Sequence, residues 1–398
     1  MDSIIANSAL AESGIQRIDW ARTNMPILAS LTEEFRKTRP FENLRMGICL
    51  HVEAKTGVWI EALTAGGAEI FITGSPGTTQ DDTAAALDVL DNVHVFARSD
   101  ETFEDHLSHC EHVLRSNPDL IADNGGDLHH LIYSKGEFGH LVDTLIGATE
   151  ETTTGTTRLR ESIKCADFPT LSINDTMAKR IVENRFGVGS SVVDGFMRAT
   201  NVMLHGKKIV VIGYGYCGAG VAQRFRGMGA HVTVVEQDPL TRLEAHLEGF
   251  HTSVLEDCAG TADVFITVTG YDNILRKEHF AAMRSGAIIA NAGHFASEID
   301  VPALKGLSRS SREIREEITE YTLPDERKLF LVAHGNLVNL AAGDGNPIEI
   351  MDLGLALQSL SLSFLVADGK SLRNGVQPVP RDVERYVAKR AVEHWIEG

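Results

Sequence analysis

The stretch that decides the fold is Lys208–Pro239, KIVVIGYGYCGAGVAQRFRGMGAHVTVVEQDP. An apolar run of strand length, 209–212, is followed by a segment, 219–228, that can form a helix. A second apolar run, 232–235, ends at Glu236. Between the first run and the helix stand three glycines in the pattern G-x-G-x-x-G: Gly213, Gly215 and Gly218. A strand, a glycine-rich turn and a helix in this order predict the first βαβ unit of a Rossmann domain.

The three glycines and the following acid suit a dinucleotide. Gly213 permits the tight turn, Gly215 lets a pyrophosphate approach the backbone, and Gly218 lets the helix pack closely on the strand. The helix N-terminus presents unpaired N–H groups and its positive dipole end to the phosphates. Glu236 stands about 20 residues after the first glycine, where a carboxylate binds the adenosine ribose and repels a 2′-phosphate. We therefore expect NAD, rather than NADP, as the cofactor.

Composition narrows the class of protein. The chain has 398 residues, of which 43% are hydrophobic and 23% are charged, as expected of a globular protein large enough for two domains. A net charge of −18 argues against nucleic acid and anionic membranes as partners. The five cysteines form no C-x-x-C and no zinc pattern, so we expect a reducing cytoplasm and no metal site. The N-terminus does not resemble a signal peptide, and no apolar run is long enough to predict a membrane span.

Apolar runs and helical segments alternate along most of the chain. Residues 1–40 are predicted to be helical, and strands are predicted at 46–51, 69–73, 93–97 and 120–123, with helices between them. A second series of strands is predicted at 208–212, 231–235, 264–268, 287–290 and 328–332. Long helices are predicted at 348–367 and 383–396, and the acidic run 315–320 is predicted to be a solvated helix face. This alternation predicts an α/β protein with two doubly wound parallel-sheet domains, the second a Rossmann domain.

Several motifs carry a resemblance that covers roughly residues 15–385. They are HVEAKT (51–56), NGGDL (124–128), EETTTG (150–155), IND (173–175) with Lys179, GYGYCGAG (213–220), NAGHFASEID (291–300) and LVNLAAGDG (337–345). Together they resemble the S-adenosylhomocysteine hydrolase family. The resemblance implies a substrate domain at 1–183 with a returning segment at 347–375, an NAD domain at 184–346, and a short C-terminal helix at 376–398. It also implies a homotetramer.

The resemblance implies an internal redox cycle. Tightly held NAD+ oxidises the ribose 3′-OH, the ketone acidifies the 4′ C–H, a base removes that proton, and the 5′ substituent leaves. Water then adds to the 4′,5′ alkene, and NADH reduces the ketone. The cofactor carries the difficult step, and the protein supplies positioning and proton transfer.

Site residues follow from the same resemblance. The catalytic candidates are His51, Asn124, Lys179, Glu183 and His294. The substrate-binding candidates are Glu53, Thr56, Asp123, Glu151, His334, Asn346 and Met351. The cofactor-binding candidates beyond the glycine turn and Glu236 are Thr152, Thr153, Thr154, Asn184, Thr269 and Asn339. Among these, Glu151 resembles the residue that holds the ribose hydroxyls, and Lys179 resembles the lysine that assists removal of the 3′-OH proton.

Three departures from the family pattern fall within the expected site. The family has two adjacent aspartates before the glycine pair, whereas this chain has Asp123-Asn124. An aspartate expected four residues after Lys179 is Glu183, and a histidine expected near the adenine is Asn346. An amide cannot take up a proton, so His51 would act without a second acid–base group at the 4′ carbon.

These departures leave three hypotheses open. The favoured one is a purine-nucleoside 4′,5′-dehydratase, which removes water from the 5′-CH2OH and leaves an exocyclic alkene, as found in nucleoside antibiotics of the angustmycin type. The alternative is an S-adenosyl-L-homocysteine hydrolase that releases adenosine and homocysteine. The third is a non-catalytic NAD-binding regulator.

Overall fold

The computed structural model describes residues 2–75, 77–294 and 296–397. The chain divides into two compact units, one formed by Met1–Lys179 with Ile348–Gly398 and the other by Arg180–Pro347. The first unit therefore takes in the whole C-terminal segment, whereas the sequence prediction treats 376–398 separately. Each unit is described below by itself.

The strands are β1 Arg45–Cys49, β2 Glu69–Thr73, β3 Val93–Phe96, β4 Leu120–Asp123, β5 Gly147–Glu150, β6 Pro169–Ser172, β7 Lys208–Ile212, β8 His231–Val235, β9 His251–Ser253, β10 Val264–Thr267, β11 Ile288–Asn291, β12 Ser310–Arg315, β13 Ile318–Thr322, β14 Lys328–Val332 and β15 Gly375–Pro378. The helices of the first unit are α1 Ala11–Thr23, α2 Pro26–Thr38, α3 Ala54–Ala65, α4 Asp81–Asp88, α5 Phe103–Arg115, α6 Asp127–Ser134, α7 Leu141–Thr144, α8 Thr153–Arg158, and, after the second unit, α16 Ile348–Asp368 and α17 Arg381–Trp395. The helices of the second unit are α9 Val188–Thr200, α10 Tyr216–Gly227, α11 Pro239–Leu247, α12 Leu255–Ala259, α13 Lys277–Ala282, α14 Val301–Leu307 and α15 Val338–Ala341.

The first unit is built on a parallel sheet in the order β15-β6-β5-β4-β1-β2-β3. From β1 the chain first adds β2 and β3 on one side of the sheet, and it then adds β4, β5 and β6 on the other side. The strand order therefore reverses between β1 and β4. In open α/β sheets, ligands bind beyond the carboxyl ends of the strands at such a switch point. The residues that follow β1 and β4, His51 and Asn124, are therefore at the expected place.

The second unit has the strand order β12-β13-β14-β11-β10-β7-β8-β9. The strands from β14 to β9 are parallel, and they confirm the prediction of a second, Rossmann-like sheet. Its core packs apolar residues of β7 against α9 and α10, for example Ile209, Val221 and Phe225. The buried strand β7 leads directly into the glycine turn.

The acidic run 315–320 is not a helix, and that prediction is wrong. It takes in the end of β12, the two-residue turn and the start of β13, and these strands pair antiparallel at the edge of the second sheet. Glu320 accepts a hydrogen bond from Arg312 Nε at 2.9 Å and one from Lys328 Nζ at 3.0 Å, on the two flanking strands. Cross-strand pairing of opposite charges stabilises this edge, and a hydropathy pattern does not reveal it.

The helix α16 is apolar along nearly its whole length. The segment Ile348–Ser371 is long and apolar enough to cross a membrane by length and composition, but 61% of its most apolar window is buried inside the protein. Trp59 on α3 donates its indole N–H to Ser359 at 2.9 Å, and Asp352 accepts from two backbone N–H groups of α2. Burial of this kind is the pattern of a core helix.

Candidate functional site

The glycine turn of the second unit has the geometry that a dinucleotide requires. Gly213 has φ +104°, in the region that favours glycine. A Cβ on Gly218 would lie 2.2 Å from the carbonyl oxygen of Gly213, so only glycine allows this close packing. A Cβ on Gly215 would meet nothing within 4 Å, which means that the first turn of α10 faces open space.

Glu236 follows β8 and lies next to the same turn. Its carboxylate accepts hydrogen bonds from the backbone N–H groups of Tyr214 at 2.8 Å, Gln237 at 2.7 Å and Asp238 at 2.9 Å. These bonds fix the acid at the carboxyl end of the strand, where a ribose diol binds in such folds. The open turn at Gly215 and the fixed carboxylate fit NAD.

A hydrogen-bonded chain in the second unit joins three of the expected polar positions through Ser191. Asn346 Nδ2 lies 3.4 Å from Glu183 Oε1, and Asn346 Oδ1 accepts from Ser191 Oγ at 3.0 Å. Asn339 Nδ2 in turn donates to Ser191 Oγ at 3.1 Å. Asn184, the next residue after Glu183, is buried as well. The structure therefore brings together one catalytic, one substrate and one cofactor candidate around Ser191.

The remaining candidates of the second unit follow strand ends. Thr269, after β10, donates its hydroxyl to Glu298 Oε2 at 2.9 Å. Burial raises the pKa of Glu298, while backbone N–H groups of Thr269 and Gly270 oppose that shift. His294 follows β11 and is half-buried, and its neighbour Phe295 lies outside the described residues. His334 is exposed and has φ 52°, so its backbone is in the left-handed region.

In the first unit, Glu151 is held from two sides. Lys179 Nζ lies 2.5 Å from Glu151 Oε1, and Gln358 Nε2 on α16 donates to Glu151 Oε2. The carbonyl oxygen of the Gln358 amide accepts from Thr149 Oγ1 at 2.8 Å, which fixes the amide orientation. Glu151 and Lys179 are 4% and 5% exposed. The result is a buried, oriented lysine–carboxylate pair.

His51 lies two residues after β1. Its Nδ1 is 2.9 Å from Thr78 Oγ1, and its backbone carbonyl accepts from Thr56 Oγ1 at 2.7 Å. Because Thr78 Oγ1 donates to the carbonyl of Ser75 at 2.7 Å, the threonine oxygen is set to accept from the imidazole. Nδ1 then carries the proton, and Nε2 carries the lone pair.

Glu53 and Lys55 form a second buried ion pair at the start of α3, shortly after His51. Their carboxylate and ammonium groups are 2.9 Å apart, and both side chains are less than 10% exposed. Glu53 also caps α3 by accepting from the backbone N–H of Lys55 at 3.0 Å. A buried donor beside a buried acceptor can recognise a planar edge that presents complementary groups.

Two carboxyl groups, Asp123 at the end of β4 and Glu150 at the end of β5, meet the amide of Asn124 at the turn after β4. Asp123 Oδ2 lies 2.7 Å from His129 Nδ1 and accepts from the His129 backbone at 3.0 Å, so this carboxylate supports the turn. Glu150 Oε1 accepts from the backbone N–H groups of Gly125 at 3.0 Å and Thr152 at 2.9 Å. Burial first, and the Asp123 charge second, raise the pKa of Glu150 well above its ordinary value. Asn124 is 3% exposed, and its Oδ1 has no hydrogen-bond partner in the described structure.

The three threonines after β5 begin α8. Thr152 caps the helix by accepting from the backbone N–H of Gly155 at 2.9 Å, and its hydroxyl donates to Glu150 at 2.8 Å. Thr153 is exposed and donates to Asn174 Oδ1 at 2.7 Å, and Thr154 is half-buried. Met351 is half-buried on α16.

Comparison with known proteins gives consistent matches over nearly the whole chain. Residues 184–345 match the model of the S-adenosyl-L-homocysteine hydrolase NAD-binding domain, and residues 2–139 match that of S-adenosyl-L-homocysteine hydrolase. An S-inosyl-L-homocysteine hydrolase of Methanopyrus kandleri is 46% identical over 98% of this chain and 92% of that protein. An adenosylhomocysteinase of Aquifex aeolicus is 43% identical over 98% of this chain and 93% of that protein.

The chain belongs to the S-adenosyl-L-homocysteine hydrolase family. The family resemblance seen in the sequence is thereby confirmed, and so are the enzyme class and NAD as cofactor. The individual residue roles, by contrast, stay predictions.

Two residues of the candidate site, Gln358 and Glu150, are not predicted from the sequence. Gln358 holds Glu151, and Glu150 joins the Asn124 turn to the Thr152 turn, yet neither was among the predicted site residues. Gln358 has a signal in the sequence, because it is a polar residue inside an apolar helix. Glu150 has no such signal, because its neighbour Glu151 is also a glutamate. Only the alternation of side chains along the strand places the two residues on opposite faces.

Proposed function

We propose that this enzyme hydrolyses the homocysteine thioether of a purine nucleoside, S-adenosyl- or S-inosyl-L-homocysteine, through transient oxidation of the 3′-OH. The observation that carries this proposal is the buried pair of Lys179 and Glu151, oriented by Gln358. The names of relatives at 43% to 46% identity support thioether hydrolysis. They do not support the dehydratase hypothesis that the sequence favoured.

Lys179 and Glu151 are suited to the oxidation step. The chemistry that bound NAD supplies is reversible hydride acceptance at the 3′ carbon. Loss of hydride from an alcohol requires loss of the hydroxyl proton, and Lys179 Nζ is placed to take up or relay it. Glu151 accepts hydrogen bonds from ribose hydroxyls and keeps the lysine in place. The low exposure of both groups strengthens these interactions.

His51 is suited to removal of the 4′ proton. With Nδ1 donating to Thr78, Nε2 is the ring nitrogen that carries the lone pair and can act as the base. Imidazole titrates near neutral pH and can accept the proton and then return it to the leaving sulfur. Thr56 fixes the backbone of this histidine by bonding its carbonyl.

Glu53 and Lys55 are suited to the six-membered edge of the purine. Adenine presents an amine donor and the N1 acceptor, whereas hypoxanthine presents an O6 acceptor and an N1–H donor. A carboxylate beside an ammonium, 2.9 Å apart, is complementary to either edge. We therefore propose a purine substrate and make the identity of the base an outcome of the experiment.

The test is release of free thiol from each thioether by the NAD-loaded enzyme. S-adenosyl- and S-inosyl-L-homocysteine are offered separately, and a thiol reagent measures the homocysteine that appears. Turnover of at least one of them supports the proposal. If neither releases thiol while NAD is reduced by a nucleoside, the thioether is not the substrate.

A second candidate function, elimination of water from a nucleoside, is proposed because of Asn124. Its buried amide stands where the family pattern has an acid, and its Oδ1 has no partner in the described structure. Without a second proton carrier at the 4′ carbon, addition of water to the alkene would be slow, and an unsaturated nucleoside would accumulate. This is the 4′,5′-dehydratase, and it predicts loss of one water from a 5′-hydroxy purine nucleoside.

We also propose that the enzyme works in the cytoplasm as a homo-oligomer. None of the five cysteines, all of which lie in the described residues, forms a disulfide, as in reducing compartments, and four of them are buried. The tetramer expected from the resemblance is checked by light scattering of the NAD-loaded protein.

A further inference from the structure

Two cysteines and a histidine meet inside the first unit, outside the residues discussed so far. Cys49 is the last residue of β1, and His106 and Cys110 lie four residues apart on α5. Residues at this spacing share one face of a helix, and here the face packs on the carboxyl end of β1. All three side chains are fully buried.

The potential ligand atoms converge. One atom from each residue can be chosen so that all three lie within 4.8 Å of one another. Cys110 Sγ is 3.6 Å from His106 Nε2 and 4.0 Å from His106 Nδ1. A cation at roughly 2.3 Å from sulfur and roughly 2.0 Å from nitrogen in tetrahedral geometry needs a sulfur–nitrogen separation of about 3.5 Å. Small side-chain shifts would suffice to bind one.

A carboxylate orients the histidine. Asp127 Oδ2 is 3.1 Å from His106 Nε2, and Asp127 Oδ1 accepts from Arg158 Nη1 at 2.6 Å. With Nε2–H donated to Asp127, the lone pair is on Nδ1. A ligating histidine whose other nitrogen donates to a carboxylate is the usual outer arrangement of protein zinc sites.

From this convergence we propose that Cys49, His106 and Cys110 form a binding site for a thiophilic d10 cation, Zn2+ or Cu+. Two thiolates and an imidazole select such ions over Mg2+ and Ca2+. The cation replaces the two thiol protons in a buried place where unpaired charge would be costly. Zn2+ neutralises both thiolates, whereas Cu+ leaves one net negative charge on the cluster. Three protein ligands suffice for trigonal Cu+, and Zn2+ takes one further ligand.

A cation bound at this site would link two elements of the first unit. It would connect the end of β1, two residues before His51, to the middle of α5. We expect it to be acquired during folding, because the ligand atoms are closed off from solvent in the folded unit. Its role is structural, and it supplies no step of the proposed reaction.

The experiment measures bound metal in full-length protein from cells grown with added Zn2+, Cu2+ or Co2+, purified without chelators. We expect about one ion per chain with Zn2+ or copper, and thiolate-to-metal charge-transfer absorption with cobalt. Cys49→Ser and Cys110→Ser should lower the bound metal by about tenfold or more. Cys165→Ser is the matched control, because Cys165 is a buried thiol of the same unit outside the cluster, and it should keep the metal.

X-ray absorption of the zinc- or copper-loaded wild type covers the case in which a variant does not fold. Two sulfur ligands and one imidazole support the proposal. Metal-free wild type from all three media overturns it, and so does a bound ion with only oxygen and nitrogen ligands. Equal metal in Cys49→Ser, Cys110→Ser and Cys165→Ser likewise overturns it.

Discussion

Asn124 occupies a turn whose two neighbouring carboxyl groups, Asp123 and Glu150, both accept hydrogen bonds from backbone N–H groups. Asp123 supports His129, and Glu150 Oε1 binds the turn that includes Gly125. Asp123 is therefore committed to the turn, whereas Glu150 Oε2 has no hydrogen-bond partner in the described structure. If the enzyme is a hydrolase, His51 performs this transfer alone, and an acid restored at 124 should accelerate it.

Replacing Asn124 with Asp tests this reasoning. We expect Asn124→Asp to raise kcat for thioether hydrolysis by about tenfold or more, since a positioned acid–base group contributes about 100- to 10,000-fold in enzymes. Initial rates of homocysteine release give the answer. Asn92→Asp, at an exposed loop position, is the control for the added charge. An unchanged or lower kcat would show that 124 does not take part in proton transfer.

Lys179 is expected to act in the oxidation step itself. Lys179→Met keeps the length of the side chain but removes the group that carries the 3′-OH proton, so we expect kcat to fall by about 100-fold or more. The absorbance of NADH after mixing with nucleoside should be lost in parallel. Lys37→Met, on the exposed face of α2, should retain both signals. Normal NADH formation by Lys179→Met would exclude this role.

At the scale of elements, α16 provides both a site residue and a structural connection. Gln358 on this helix holds Glu151, and Asp352 accepts from the backbone N–H groups of Ile27 at 2.9 Å and Leu28 at 2.8 Å. Asp352 thus caps α2, whose first N–H groups have no partners within their own helix. Burial outweighs these two bonds and raises the pKa of Asp352 to about 7.

This pKa predicts a pH dependence of stability. An unfolded aspartate titrates near pH 4, so between about pH 4 and pH 7 the folded chain keeps a proton that the unfolded chain releases. The free energy of unfolding of the wild type, relative to Asp352→Asn, should therefore fall as pH rises, by up to about 1.4 kcal/mol per pH unit, and level off above pH 7. Urea unfolding across this range measures it.

The control for that experiment is Asp91→Asn, which removes an exposed carboxylate. Its stability relative to the wild type should change little between the same pH values. A difference between wild type and Asp352→Asn that stays constant with pH would mean that Asp352 is ionised in the folded chain throughout.

The sequence predicts elements well where burial alone decides them. The apolar runs of β2, β4, β7 and β8 match the structure residue for residue. By contrast, β5 and β6 were missed because they carry Thr149, Glu150 and Thr170 in a buried sheet, where polar side chains are satisfied by partners distant in sequence. The β12–β13 hairpin was missed for a similar reason, since Glu320 is neutralised only across strands.

The site was predictable to the extent that motifs mark strand ends. His51, Asn124, Glu151 and Glu236 all follow strands, and the structure places them there. The partners that orient them come from other parts of the chain, as Gln358 does for Glu151. Contacts over such sequence separations depend on tertiary packing, which local patterns do not contain.

At the scale of the whole molecule, each unit has its own sheet, and the NAD fingerprint belongs to Arg180–Pro347. A ligand that binds only the folded state stabilises it by about 2.7 kcal/mol at a concentration 100 times its Kd. NAD should therefore raise the melting temperature of the enzyme, and NADP should raise it less, because Glu236 repels a 2′-phosphate.

Thermal unfolding with each dinucleotide checks this preference. Glu236→Ser removes the carboxylate but keeps a hydroxyl, and it should narrow the difference between the NAD and NADP shifts. Glu244→Ser, an exposed acid on α11, should leave the difference unchanged. Equal stabilisation of the wild type by the two dinucleotides would contradict the assignment of Glu236.

The most direct test of thioether hydrolysis is a competition followed by mass spectrometry. NAD-loaded enzyme receives S-adenosyl-L-homocysteine, S-inosyl-L-homocysteine and the corresponding 5′-hydroxy nucleosides together, and all products are identified. We predict homocysteine with adenosine or inosine, and no accumulation of a nucleoside that has lost water. Intact thioethers beside an unsaturated nucleoside would contradict the hydrolase and establish the dehydratase.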